Sequence, residues 1–358
     1  MRLQNTGLLI HDEERATQGF TLFSPLMQDQ VYLLDMKGNV VHDWTVNGNA
    51  YGYAYLLPNG NLLASALAPD GKEEDREGMR YILELDWNGR IIWQCEAPGQ
   101  HHDFVRLANG NTSFLGFERL SKEAAGRVRG GLKGTEIDGE YILGDYIREV
   151  TPRGEVDWEW RSEINMEIEK FPLHDFTSRE EFSHANSIFD LNGSDYLISS
   201  RRSSYLFMIE RETKHVTWSR HEEHWGGQHD AQILENGNLL FFANGFKTQG
   251  AGLPYSQVIE MNWKTGEEVW TYRGDPPWTF NSPHISGCQR LTSGNTLICE
   301  GLWGRIFEIT PKGEIVWEYI SPYEGWISRG GGNGNWIFRA LRYMPNSPQI
   351  GGRLSLKF

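Results

Sequence analysis

Ile306-Phe307-Glu308-Ile309-Thr310-Pro311-Lys312-Gly313-Glu314-Ile315-Val316-Trp317 is a short apolar strand, a tight turn at a glycine, and a second strand that ends in an aromatic residue. The same device occurs six times. It runs from Tyr32 to His42, from Tyr81 to Trp93, from Tyr146 to Trp158, from Leu206 to Trp218 and from Val258 to Trp270, and closes with the copy quoted. Gly38, Gly89, Gly154, Gly266 and Gly313 make the turns, and Lys214 takes that place in one copy. Six copies at roughly fifty-residue spacing imply a radial array of β-sheets, one per repeat.

A second motif interleaves with the first: a strand, an Asn-Gly turn and another strand. It appears at Asn59-Gly60-Asn61, Asn109-Gly110-Asn111 and Asn236-Gly237-Asn238, as Ser293-Gly294-Asn295, and in degenerate form as Asn192-Gly193-Ser194-Asp195. Asn-Gly supports the positive φ values that a two-residue hairpin needs. Each repeat is therefore two hairpins, four strands. The expected fold is all-β, a six-bladed β-propeller with four-stranded antiparallel blades. One further inner strand, near Phe338 to Tyr343, follows the last copy and is expected to complete the blade that the N-terminal strands begin, which removes exposed sheet edges. The whole of 1–358 reads as a single propeller domain, with the long connections 119–144, 161–183 and 244–256 as lids over one face.

Composition narrows the function. A net charge of −14 argues against nucleic acid or an anionic membrane as partner. No apolar run approaches the length of a membrane span, and the first residues lack the apolar core of a signal peptide, so a cytoplasmic location is expected. Cys95, Cys288 and Cys299 lie in or beside strand patterns and read as buried thiols.

The histidines recur at one place. His102 and His229 open the inner strands of two repeats, and His184 and His284 sit two residues earlier in two others. A two-residue shift keeps one face of a strand. The four imidazoles are therefore expected to meet at one mouth of a central channel. The next strands end there in Ser200-Arg201-Arg202, in Glu118-Arg119 and in Glu300, and arginines beside histidines make an anion site. The remaining repeats carry Tyr53 and Phe338-Arg339 at the corresponding place, so histidine there is not a requirement of the repeat itself. His11, His42, His174, His215, His221 and His224 fall in turns, outer strands or loops, and His101 is open.

The chain resembles the arylsulfate sulfotransferase family, six-bladed propeller enzymes that move sulfuryl groups between phenols without a nucleotide donor. His184-Ala185-Asn186-Ser187 followed by Ser200-Arg201-Arg202 carries the resemblance, together with the run from Leu297 to Glu308. The resemblance implies that His184, Asn186 and Arg202, with Arg201 as the other register, hold sulfuryl oxygens. It further implies that His229 is the nucleophile and that His102 assists. His284 is additional to the family's usual set, and Tyr53, Glu300 and Arg339 are candidate substrate contacts. The expected substrate is a small aromatic or anionic molecule, with no cofactor.

The residue types alone permit the same chemistry: imidazole attack on sulfur or phosphorus, with arginine, asparagine and histidine donors for the oxygens. They also permit an alternative, a divalent metal ion held by His102, His184, His229 and His284 in a lyase, hydrolase or oxygenase. A second alternative is a non-catalytic binding propeller.

Overall fold

The computed structural model describes residues 5–48, 53–69, 71–72, 75–246, 253–327 and 331–354. The fold is a β-propeller of six antiparallel blades, each with four strands in meander order. The chain divides into two compact units, Met1–Glu73 with Arg80–Cys95 and His284–Phe358, and Glu74–Met79 with Glu96–Pro283.

The second unit holds three consecutive blades. Their strands are Gln100–Arg106, Thr112–Arg119, Leu143–Val150 and Val156–Arg161; then Ala185–Leu191, Asp195–Ser200, Tyr205–Glu210 and Val216–His221; then His229–Ile233, Leu239–Ala243, Gln257–Asn262 and Glu267–Tyr272. The middle strands are largely buried, Leu239–Ala243 wholly so, whereas the outer strands alternate toward solvent and expose Val156 and Val269. The turn residues named from sequence all have positive φ, including Lys214 at 62°. The closing aromatics bolt one blade to the next: Trp158 Nε1 donates to Arg211 O at 2.9 Å, and the neighbouring Trp160 Nε1 donates to Lys214 O at 3.1 Å.

In the first unit, Trp317 Nε1 reaches Met36 O at 2.9 Å in the same manner, and His42, which replaces the aromatic in the first copy, lies 2.8 Å from Trp87 O. The strand Ile337–Tyr343 pairs with Phe20–Pro25, which continues to Gln30–Leu34 and Val40–Thr45. Both ends of the chain thus build one blade. One strand escaped the sequence reading: Gly7–His11 adds to the outer edge of Ile315–Ile320 as a fifth strand. It lies before any repeat unit, so the periodicity says nothing of it.

Buried carboxylates fasten the hairpins. Asn111 Nδ2 donates to Glu149 at 2.6 Å, Asn61 Nδ2 to Glu84 at 2.7 Å, Asn238 Nδ2 to Glu260 at 2.8 Å and Asn295 Nδ2 to Glu308 at 2.7 Å. Glu308 also pairs with Arg342 at 3.2 Å, both fully buried. Cys95, Cys288 and Cys299 are buried free thiols.

The connections read as lids carry structure. Segment 119–144 holds a helix, Lys122–Arg127, and the strand Gly130–Leu132; segment 161–183 holds Ser162–Asn165, Leu173–Ser178 and Glu181–Phe182. Gly250 and Gly252, in the third connection, lie outside the described residues. No helix among the described residues is long and apolar enough to cross a membrane.

Two outcomes test this construction. Deleting 336–358 removes the inner neighbour of Phe20–Pro25 and should abolish soluble folding, read by size-exclusion chromatography and circular dichroism; unchanged melting would refute the closure. Glu308→Ala leaves the Arg342 charge buried without its carboxylate and should lower stability by about 3–5 kcal/mol in denaturant titration.

Candidate functional site

In the second unit the innermost strands lie side by side, fixed by Asp103 Oδ2, which accepts from Ile188 N at 3.0 Å, and by Ser187 Oγ, which accepts from Ala231 N at 3.1 Å. Their first residues are bulged. Gln100 opposes Gly116 and Phe104 opposes Phe114, so three residues face one. Ala185 opposes Ser200 while Ser187 opposes Ser199, and His229 opposes Phe242 while Gln232 opposes Leu240. Positive φ accompanies each bulge, at His102 (54°), His184 (65°) and Asp230 (55°). Such conformations in non-glycine residues cost on the order of 1–3 kcal/mol each and cluster at functional sites. Strict strand alternation therefore does not decide which side chains meet; the bulges aim them.

They bring His101, His102 and His184 together. The His102 and His184 rings lie 4.7 Å apart edge to face, and His101 stacks on Phe117 at 3.6 Å. The Nδ1 atoms of His101 and His102 are 2.8 Å apart, and His101 Nε2 is 3.3 Å from Asp145, a buried carboxylate that also accepts from Ser183 N and Ala185 N. Burial, then the neighbouring His184, His101 and His229, hold His102 well below the usual imidazole range.

His229 is buried, with Nδ1 3.0 Å from Gly227 O and 2.7 Å from Asn244 Oδ1. Asn244 donates its own amide to Ser282 O at 2.8 Å, which turns Oδ1 toward the ring. Both partners of Nδ1 accept, so Nδ1 carries the proton and Nε2 the lone pair. Asn244, on the neighbouring strand's end, orients His229. Asn186 is fully buried and donates Nδ2 to Gln228 O at 2.8 Å.

His184 contacts Glu181 through Nδ1. Glu181 sits on the short strand Glu181–Phe182, which runs parallel to Leu143–Gly144, and the peptide joining Phe182 to Ser183 is cis. Glu181 also pairs with Arg76 at 2.8 Å and Arg202 at 3.0 Å. Burial opposes its charge, but His184, Arg202 and Arg76 hold it well below the usual carboxylate range. Burial pushes His184 down to about 4 against the pull of Glu181, and Arg202 and Arg201 add to the lowering. Sequence reasoning missed Glu181, because it lies in an insertion that no other repeat shares.

Arg202 is buried and committed to the same clamp: its terminal nitrogens reach Ser178, Glu180 at 3.2 Å and Glu181. Arg201, half-buried, lies 5.9 Å from the Phe246 ring, and its chain packs against Gly227, two residues before His229. The other candidates belong to the first unit. There His284 meets Trp336 edge to face at 4.8 Å, Arg339 lies 4.5 Å from the Tyr53 ring, and Glu300 pairs with Arg305 at 3.0 Å. Among the described residues, no group of three or more His, Cys, Asp or Glu side chains is placed to hold a metal ion.

The family profile described as arylsulfotransferase (ASST) matches residues 77–322, well over half of the sequence. The chain belongs to the arylsulfotransferase family. Every residue of the His101–His102–His184–Glu181–His229 cluster falls within the arylsulfotransferase match, as do Arg201 and Arg202, while Tyr53 and Arg339 fall outside it. No curated protein matches the chain. A solved protein of unknown function from Bacteroides caccae is 13% identical, over 91% of this chain and 99% of that one, with a TM-score of 0.57. That likeness shows the fold alone. A streptogramin B lyase is 13% identical over 90% of this chain and 86% of its own, at a TM-score of 0.48. A catalytically inactive virginiamycin B lyase from Staphylococcus aureus is 12% identical over 89% and 75%, at 0.37. Membership of the arylsulfotransferase family supports a sulfotransferase-like function.

The site's electrostatics can be checked directly. In a titration followed by nitrogen-15 histidine NMR, His184 should remain neutral at pH 6 and gain its proton only as the pH falls through about 4. A His184 ring that titrates near 6.5 would contradict the burial argument.

Proposed function

We propose that the protein transfers a sulfuryl group from an aryl sulfate to a phenolic acceptor through a covalent intermediate on His229. The tautomer of His229 carries this reading. With its Nδ1–H held by Gly227 O and Asn244 Oδ1, the ring keeps a lone pair on Nε2, the state that attacks an electrophilic sulfur. In the first half-reaction the Nε2–S bond forms as the S–O bond breaks, and the phenolate leaves with the electron pair. In the second, the acceptor oxygen bonds sulfur and the S–Nε2 pair returns to His229.

The transferred group carries negative oxygens and needs fixed donors. Asn186 sits beside the backbone that leads into His229, and His102 lies beside His184. For the cation, Arg201 is the choice for its place beside the Phe246 ring, while Arg202 holds Ser178, Glu180 and Glu181. Arg201 beside the half-exposed Phe246 ring offers a charge next to an apolar face, which suits an aryl sulfate. His284, Tyr53, Glu300 and Arg339 have no assigned step in this reading.

The test is 4-nitrophenyl sulfate plus phenol, with and without chelator. Turnover should survive chelation, show parallel double-reciprocal lines as two half-reactions on one nucleophile require, and vanish in His229→Ala. Arg201→Met should lower the rate by about 10²–10³-fold. Activity that disappears on chelation and returns with a divalent metal would replace this reading with the metal-dependent one.

A further inference from the structure

We infer that Glu181, gripped by Arg76 and Arg202, is the positioning residue that makes His184 the proton carrier between the departing and the arriving phenol. This rests on the sulfuryl-transfer reading above.

The two buried histidines next to the reacting group have different partners on Nδ1. For His229 the partners are a backbone carbonyl and an amide oxygen, both neutral. For His184 the partner is a carboxylate, 1% exposed and tied to two guanidiniums. A neutral acceptor fixes a tautomer without favouring a charged ring. A carboxylate also stabilises the imidazolium that forms when the other nitrogen takes a proton. Two imidazoles in one site, one with each kind of partner, are thereby divided into a nucleophile and an acid–base group.

The same geometry argues against His184 as a holder of sulfuryl oxygens. Its Nδ1–H is directed at Glu181, so in the neutral ring Nε2 is an acceptor, which repels an anionic oxygen. The clamp is firm from every side. Arg76 comes from the segment before the first blade of this unit and Arg202 from the strand end beyond Ser200, and Arg202 is itself held by Ser178 and Glu180. Arg201 N donates to His184 O at 2.9 Å, and Ala185 N donates to Asp145, so the backbone on both sides of the ring is fixed. Other charged or titratable groups about His184 include Arg201, His101, His102 and Asp145.

The protons then balance. The acceptor phenol gives its proton to His184 Nε2 as its oxygen bonds sulfur and the S–N bond to His229 breaks. The imidazolium, stabilised by Glu181, then loses that proton to solvent, and the ring takes one back when the next anionic sulfate ester binds and passes it to the phenolate that leaves. The sum is one aryl sulfate plus one phenol giving the other pair, with no net proton change.

The experiment is Glu181→Gln in the full chain, followed by stopped flow. With 4-nitrophenyl sulfate, whose phenolate leaves without a proton, the first burst of 4-nitrophenolate should keep its rate and amplitude. Steady-state transfer to phenol should slow by about 10²-fold or more, the usual weight of general acid–base catalysis. With unsubstituted phenyl sulfate, a poorer leaving group, the burst should slow as well, and Glu181→Asp should recover part of each loss. A burst and a turnover that fall by the same factor, or that both stay at the wild-type level, would overturn the assignment. Arg76→Gln, which loosens the clamp and keeps the carboxylate, should give the same split at smaller size and serves if Glu181→Gln does not fold. A wild-type protein with turnover but no burst would instead refute the covalent reading, a result the variants cannot mimic.

Discussion

A buried carboxylate at the end of a third strand, accepting from the asparagine of the Asn-Gly turn beside it, sets the register on which the blades are built. Glu84, Glu149, Glu260 and Glu308 all do this. Each binds an amide that is itself part of the inner hairpin's turn, so strands one and two cannot slip against strand three without leaving a charge buried and unsatisfied. Glu149 and Glu308 each gain an arginine, Arg211 and Arg342, which balances the cost of burial. Of the two blades without this asparagine contact, one has the irregular turn Asn192-Gly193-Ser194-Asp195, and its Glu210 turns to Thr213 instead.

Pinning one end of the inner hairpin has a consequence at the other end. Extra residues in the innermost strand cannot be absorbed at the turn, so they collect as bulges where the strand begins. There His102 and Asp230 take positive φ; His184 does so too, in a blade whose turn lacks the lock. In the blades of His102 and His229 the register lock and the bulge sit at the two ends of one hairpin.

This explains what could be read from the sequence. The fold was legible because its signals repeat: the turn glycines, the closing aromatics and the Asn-Gly pairs recur at one spacing, and the structure shows why, through indole bonds such as Trp317 to Met36 and His42 standing in at Trp87. The clustering of His102 with His184 was visible for the same reason, although the alternation argument behind it does not hold in a bulged strand. Glu181 and Arg76 were not visible, since each lies in a connection that other repeats lack. Asn244 follows a strand that reads as plain core, Leu239–Ala243, and nothing in its neighbours marks it as a partner of His229. The commitment of Arg202 to Glu180 and Glu181 was not visible either, since both carboxylates arrive from the insertion.

The blade shared by Phe20–Pro25 and Ile337–Tyr343 also shapes how the chain is made. Its early strand leaves the ribosome more than 300 residues before its inner partner. At about 5–20 residues per second, that is a wait of about 15–60 seconds. Throughout it, a strand that is wholly buried in the finished protein offers an unpaired apolar edge to anything that comes by. A nascent chain of this kind needs an escort, and its yield in a cell will depend on how well that edge is shielded until synthesis is complete.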